Sequence, residues 1–262
     1  MAIRPTVALA NLLNQGYGLR DLLRDMTIYG YSGSQPVTAD TAPTTSPLVI
    51  FTLAKGAFTG PTRASATIVL SGATGTIDTI KVGGAAYNLL SSAVAVTSGD
   101  LGTSADNVAA NINARENLNN VVAVSDSVDT ITLYLPYWYG ALGNGLTLAT
   151  TQTTSTVTPA STFTGGVTAV NGLNFSFPAA LGVIDIPSGE SWSGLGLLAG
   201  TIGWFRAVRG GSLVAGSGAT EVRFDGSVAT SGGDLSTGSL AIEVGAEQVI
   251  TSLTITQSSS SA

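Results

Sequence analysis

Apolar positions change their spacing along this chain, and the changes divide it into segments. Residues 5–26 (PTVALANLLNQGYGLRDLLRDM) place Leu9, Leu12, Leu13, Leu19, Leu22 and Leu23 at helical intervals, with Gly16 and Gly18 breaking the middle. That stripe predicts a helix laid over a sheet, with Asp21, Arg24 and Asp25 off the apolar face. Residues 27–31 then read as a short strand and 33–47, with three prolines, as a surface loop. Residues 48–54 (LVIFTLA) read as a strand apolar enough to be central.

From Ser65 to Gly166 the chain is poor in charge and rich in Thr, Val, Ala and Asn. ATIVLSG and TIDTIKVGG alternate with the period of half-buried strands. Residues 103–119 switch to a helical period, with Ser104 as the expected cap and Ala105, Val108, Ile112 and Leu118 on one face. VVAVSDSVDTITLYLP predicts two strands around a turn at Ser125–Val128, and GALGNGLTLATT a further turn and strand. The result is a β-β-α-β-β-β module, closed by a Thr-rich linker at 150–162.

Beyond it, residues 171–186 alternate, and Gly203–Val208 and EVRFDGSVAT read as strands before a turn at 231–234. SLAIEVGAEQVITSLTITQ predicts a closing hairpin in which Leu240, Ile242 and Val244 face Leu253 and Ile255. Neither flank alone supplies enough strands for a sheet with two covered faces. The expected fold is therefore mainly β. A β-sandwich or jelly-roll-like base domain with an N-terminal helix is formed by 1–59 and 168–262, and 60–167 is a small inserted α+β module.

Composition narrows the chemistry. The 262 residues include 10 Lys+Arg, 16 Asp+Glu, no His and no Cys. Disulfides, thiolate metal sites and cysteine nucleophiles are excluded, as are Ser-His-Asp triads and His-bound zinc or haem. A net charge of −6 argues against nucleic acid as a partner, because binding phosphate needs a basic stripe. No apolar run approaches the ~18 residues of a spanning helix, so no membrane is expected. At the N-terminus, Pro5 and Asn11 interrupt any signal-like core, so the chain is expected to be made in a cytoplasm. Only 10% of residues are charged, against about a quarter in an ordinary domain. Such a neutral surface suits a chain hidden against partner subunits; the other reading is a secreted, Ser/Thr-rich β protein.

The flanks and the inserted segment each resemble a known family. LRDLLRDMTIYGYSGSQPVTADTA, the GWFR of Gly203–Arg206, Asp225–Leu235 (DGSVATSGGDL) and Thr254–Thr256 resemble, in the same order, a family of small tailed-bacteriophage virion proteins. The inserted segment is similar to a module of phage tail sheath, tube and fibre proteins. That likeness rests on 82–89 (VGGAAYNL), 105–114, 128–133 and 140–150, and LYLPYWYGA departs from it. The resemblance implies a non-enzymatic virion structural protein made in a bacterial host cytoplasm. Its partners would be major capsid or tail proteins and copies of itself. Capsid decoration with the module displayed is the first expectation; tail, neck or baseplate is the alternative.

Candidate residues follow. Tyr137, Trp138 and Tyr139 beside Pro136, with Tyr134 and Tyr87 near them, suit an interface, internal packing or a host glycan. Leu12, Leu13, Leu22, Trp204, Arg206 and Arg209 complete the candidate interface, the arginines clustering with Arg223 to meet Glu221 or a neighbour's carboxylates. Asp126 with Asp129, and Asp225 with Asp234, bracket turns. Two carboxylates could act on a glycoside, but two are too few for calcium, and turn formation explains both pairs. Lys55 and Lys81 are the only lysines, and no motif sets either beside a serine. No catalytic residue, cofactor or metal is expected.

Overall fold

The structure is a computed structural model and describes residues 4–14, 18–84, 88–115, 121–176, 183–210, 212, 214 and 221–256. Along the first flank run β1 (Arg4–Pro5), α1 (Val7–Asn14), α2 (Leu19–Leu22), β2 (Thr27–Tyr31) and β3 (Val49–Leu53). The middle contains β4 (Ser65–Ser71), β5 (Gly75–Val82), β6 (Val94–Val96), α3 (Leu101–Asn113), β7 (Val122–Ser125) and β8 (Thr130–Tyr134). A 3-10 turn at Tyr137–Gly143, β9 (Leu148–Thr153) and β10 (Thr156–Pro159) complete it. The last flank holds β11 (Val183–Ile184), β12 (Trp192–Leu195), β13 (Gly200–Thr201), β14 (Trp204–Val208) and β15 (Arg223–Ala229). It ends with β16 (Leu235–Thr237), β17 (Ala241–Ile242), β18 (Glu247–Leu253) and β19 (Ile255–Thr256).

The protein is mainly β, and the chain separates into two compact units, Met1–Gly60 with Ala169–Ala262, and Pro61–Thr168. The division expected from the sequence lies one residue earlier at each crossing. In the first unit, β15-β14-β2-β3-β12-β18-β16 pair in that order, and β16 returns to β15. Seven strands thus close into a mixed barrel, where a sandwich or jelly roll was expected. The closing contact is parallel and short: Val228 lies opposite Leu235 and Ala229 opposite Ser236. A parallel connection ordinarily needs a dozen or more residues; here residues 230–234 suffice. Gly233 packs where a Cβ would lie 2.8 Å from the Ala229 nitrogen, and Asp234 Oδ2 accepts from the Ser227 N–H and hydroxyl. The sequence marks this segment as a turn but does not show that it seals a ring.

Register decides which side chains fill the barrel. Ile28 lies opposite Phe51 and Ala207, and Ala207 opposite Phe224, so these share one face. Phe205 meets Phe224 edge-on at 5.8 Å, and Phe175 meets Trp192 at 5.3 Å; all four rings are buried. The other face passes through Tyr29, Ile50, Thr52, Ser193 and Val249, and its exposure at Val249 marks it as the outer wall. The leucine stripe of the first flank forms two short helices whose Leu9, Leu12 and Leu22 are buried, as is Leu23 just after the second.

The second unit has two sheets, β10-β4-β8-β7 and β6-β5-β9, with α3. Ile68, Leu70, Ile77, Ile80, Val108, Ile112, Ile131, Leu133 and Phe163 lie in one core. Several details differ from expectation. The helix begins at Leu101, where Asp100 accepts from the Thr103 N–H; Ser104 instead donates to the Asp100 carbonyl and accepts from Thr97. The stretch read as a Thr-rich linker contains the strand β10, paired along β4. The expected closing hairpin does not form either: β17 pairs with β13, β18 with β12 and β16, and β19 with β11.

Candidate functional site

On the outer barrel wall, Arg206 and Asp225 lie beneath the segment 32–47. Antiparallel register sets Arg206 opposite both Asp225 and Tyr29, and Asp225 opposite Arg4. The Arg206 guanidinium grips the Asp225 carboxylate with two bonds of 2.7 Å, and both residues are fully buried. Nη2, one of the two nitrogens in that grip, also donates to the Thr41 carbonyl at 2.8 Å, and Nη1 donates to the Val214 carbonyl at 2.9 Å. Arg223 donates to the Ala39 carbonyl at 2.9 Å, and Arg4 to that of Pro36 at 2.7 Å. Asp40 accepts from the Val7 N–H at 3.1 Å. The loop is therefore a strap, fastened by three arginines through its main chain, and not a free surface loop.

Electrostatics match this fastening role. Burial pushes the Asp225 carboxyl up from its ordinary value, and the Arg206 bonds pull it back. Burial pushes the Arg223 guanidinium down, and the Arg206 charge acts in the same direction. Glu221 stands 3.8 Å from Arg223 and offsets part of that cost. Tyr31 stacks on Trp204 at 4.4 Å, and burial pushes its phenol up to about 12.

The candidate interface residues accordingly divide. Leu12, Leu22, Trp204, Arg206 and Arg209 are buried. Leu13 is half-buried on α1. Asp225 is not a turn residue, because its partner is the neighbouring strand's arginine; Asp234 and Asp126 do hold turns. Lys55 is spent on Glu247, holding that carboxyl below the usual range, and Ser193 on the same wall is fully buried.

In the second unit, the aromatic segment forms a tight turn instead of extending a strand. Arg63 donates to the Leu135 and Tyr134 carbonyls and lies over the Tyr137 and Tyr134 rings, 5.0 and 5.8 Å from their centres. Trp138 stacks on Tyr139 with ring centres 6.5 Å apart. The Gly140 oxygen lies 2.2 Å from where a Gly166 Cβ would be, so glycine is required there. Tyr137 and Trp138 are half-buried, and Tyr139 and Leu142 form the exposed rim. Tyr87 lies outside the described residues.

Sequence reasoning did not single out the barrel's exposed apolar band. Leu195, Leu197, Leu198, Val244 and Val249 are 40–68% exposed. Leu195 lies opposite Glu247 and Ser193 opposite Val249, making Leu195 and Val249 diagonal neighbours on the outer wall. Gly196 exchanges backbone bonds with Gly245 and Ala246, drawing the Val244 turn alongside, and Leu197 and Leu198 both donate to the Leu48 carbonyl. The signal available was LGLL at 195–198, but glycine interrupts its period. Among the described residues there is no group of three or more Asp or Glu placed to hold a metal, and no helix long and apolar enough to cross a membrane. No family model matches the chain, and no curated protein or solved structure matches it.

Proposed function

We propose that this protein is a non-enzymatic structural component of a tailed-bacteriophage virion, a capsid decoration protein that displays the Pro61–Thr168 unit. The supporting observation is a group of exposed apolar residues, Leu195 and Val249 on adjacent barrel strands and Leu197, Leu198 and Val244 on the turns next to them. Contiguous exposed apolar side chains mark interaction sites, and permanent contacts are depleted in charge. A chain that is only 10% charged fits such contacts. The strap supports the same reading: Arg206, Asp225 and the strap itself lie in stretches that resemble phage proteins, and they fasten the fold, as suits a part whose role is to hold shape.

The test is compositional. Gradient-purified particles from a host making the chain are expected to carry it at fixed stoichiometry to the capsid protein. Leu197→Asp with Leu198→Asp is expected to leave the chain folded and lower its incorporation at least tenfold. Wild-type chain left in the soluble lysate after particles are removed would sink the proposal.

A further inference from the structure

Within the described residues of Pro61–Thr168, four strands end a sheet, and three of them are guarded. At β7, Asn113 accepts from the Ala123 N–H and donates to the Ala123 carbonyl, both at 2.8 Å, so a side chain takes the place of a neighbouring strand. β10 ends in Pro159, which has no N–H to offer. β6 is only three residues long, and the chain leaving it is tied to α3 through the Thr97 N–H and the Ser104 hydroxyl. β9 is different. Leu148 is engaged by the Ser161 carbonyl, but from Ala149 to Gln152 the only backbone partner among the described residues is β5, and the one bulge in that pairing is on β5, at Asp78, and not on β9. Ala149, Thr151, Gln152 and Thr153 are exposed, and the strand contains no charge, proline or glycine.

Natural edges are blunted by lysine, proline, bulges or cover, because a bare row of N–H and C=O groups recruits another strand. We propose that β9 is a pairing edge for a second copy of this chain, the two strands running antiparallel about a two-fold axis at Thr151. Self-pairing is what the side chains permit. Thr150 would face Gln152 of the other copy and Ala149 its Thr153, with no like charges opposed. Hydroxyl pairing already occurs here, with Thr79 and Thr151 oxygens 2.7 Å apart. The nearest charges belong to β5, on the side of β9 away from the new strand. Asp78 there holds the hydroxyls of Thr76 and Thr153, and Lys81 lies opposite Ala149. This two-fold pairing is isologous and closes on itself, and it holds whether or not the virion reading does.

The chain has no cysteine, which makes the test direct. Sedimentation of the full chain is expected to give about twice its 26.2 kDa mass. Thr151→Lys, and separately Gln152→Lys, are expected to give the single mass with unchanged far-ultraviolet dichroism. Residues directly opposite in an antiparallel pair lie about 4.5–5.5 Å apart at Cα, within disulfide reach. Thr151→Cys is therefore expected to oxidise to a cross-linked dimer at least tenfold faster than Thr67→Cys, an exposed position on β4. A monomeric wild-type chain overturns the proposal. So does a dimer unaffected by both lysines, or cross-linking no faster than at the control.

Discussion

Asp126 shows how much one exposed carboxylate can organise. Its Oδ1 accepts from the N–H groups of Val128, Asp129 and Thr130 at 2.8, 3.1 and 2.9 Å, closing the β7–β8 turn around Ser127, whose φ is 59°. Those bonds hold the carboxyl below its ordinary value of 3.8. An acid with a lower pKa folded than unfolded stabilises through its ionised form. The contribution is full above the ordinary value and disappears as pH falls through the lower folded one. Asp126→Ala is thus expected to lower the urea midpoint at neutral pH and to converge on the parent in acid; a difference that persisted unchanged into acid would refute this. This role was readable in the sequence because an Asx turn is local, made by a residue and the next few amides. Asp225 looked the same in sequence and is not, because its partner Arg206 arrives on another strand.

At the level of elements, alternation located β4 and β5 closely, since period 2 survives wherever one face is covered, and β3 was legible from its apolar run. Partners were less legible. β17 and β18 look like a hairpin in sequence, but the two-residue β17 pairs across to Gly200–Thr201, a choice set by the barrel wall. The strap is the strongest case. SGSQPVTADTAPTTSP reads as a loop because its composition carries no trace of Arg206 and Arg223, more than 160 residues away, that bind its carbonyls. Asp225→Asn would leave the buried Arg206 without its counter-charge, a loss of about 3–5 kcal/mol. Amide exchange at 37–41 should rise with it if the strap is held through this pair. Replacing both partners together, Arg206→Met with Asp225→Leu, should cost much less, because no buried charge is then orphaned. Equal destabilisation by the single and double changes would show that shape, not charge, fastens the strap.

For the whole molecule, the insertion has a geometric licence. In the first unit, Thr59 and Val170 exchange both backbone bonds, N–H to O, at 3.2 and 2.9 Å. In the second, Thr62 and Val167 do the same at 3.0 and 3.1 Å. Each unit therefore closes its own ends with a hydrogen-bonded antiparallel pair. Deleting 61–168 would leave Gly60 and Ala169 as the two residues between Thr59 and Val170. A two-residue hairpin with glycine first is the type II′ arrangement that the strand twist favours. The shortened chain is expected to fold as the barrel and to unfold cooperatively, with its strap amides as protected as in the parent. Expressed separately, 61–168 carries its own core around Ile68, Ile112, Ile131 and Phe163 and should give a second, independent melt. The parent's calorimetric trace would then resolve into those two transitions. If the deletion instead gave a chain with no cooperative transition, the barrel would depend on its insert. The neutral exterior of each unit would then have to be understood as one surface, not two.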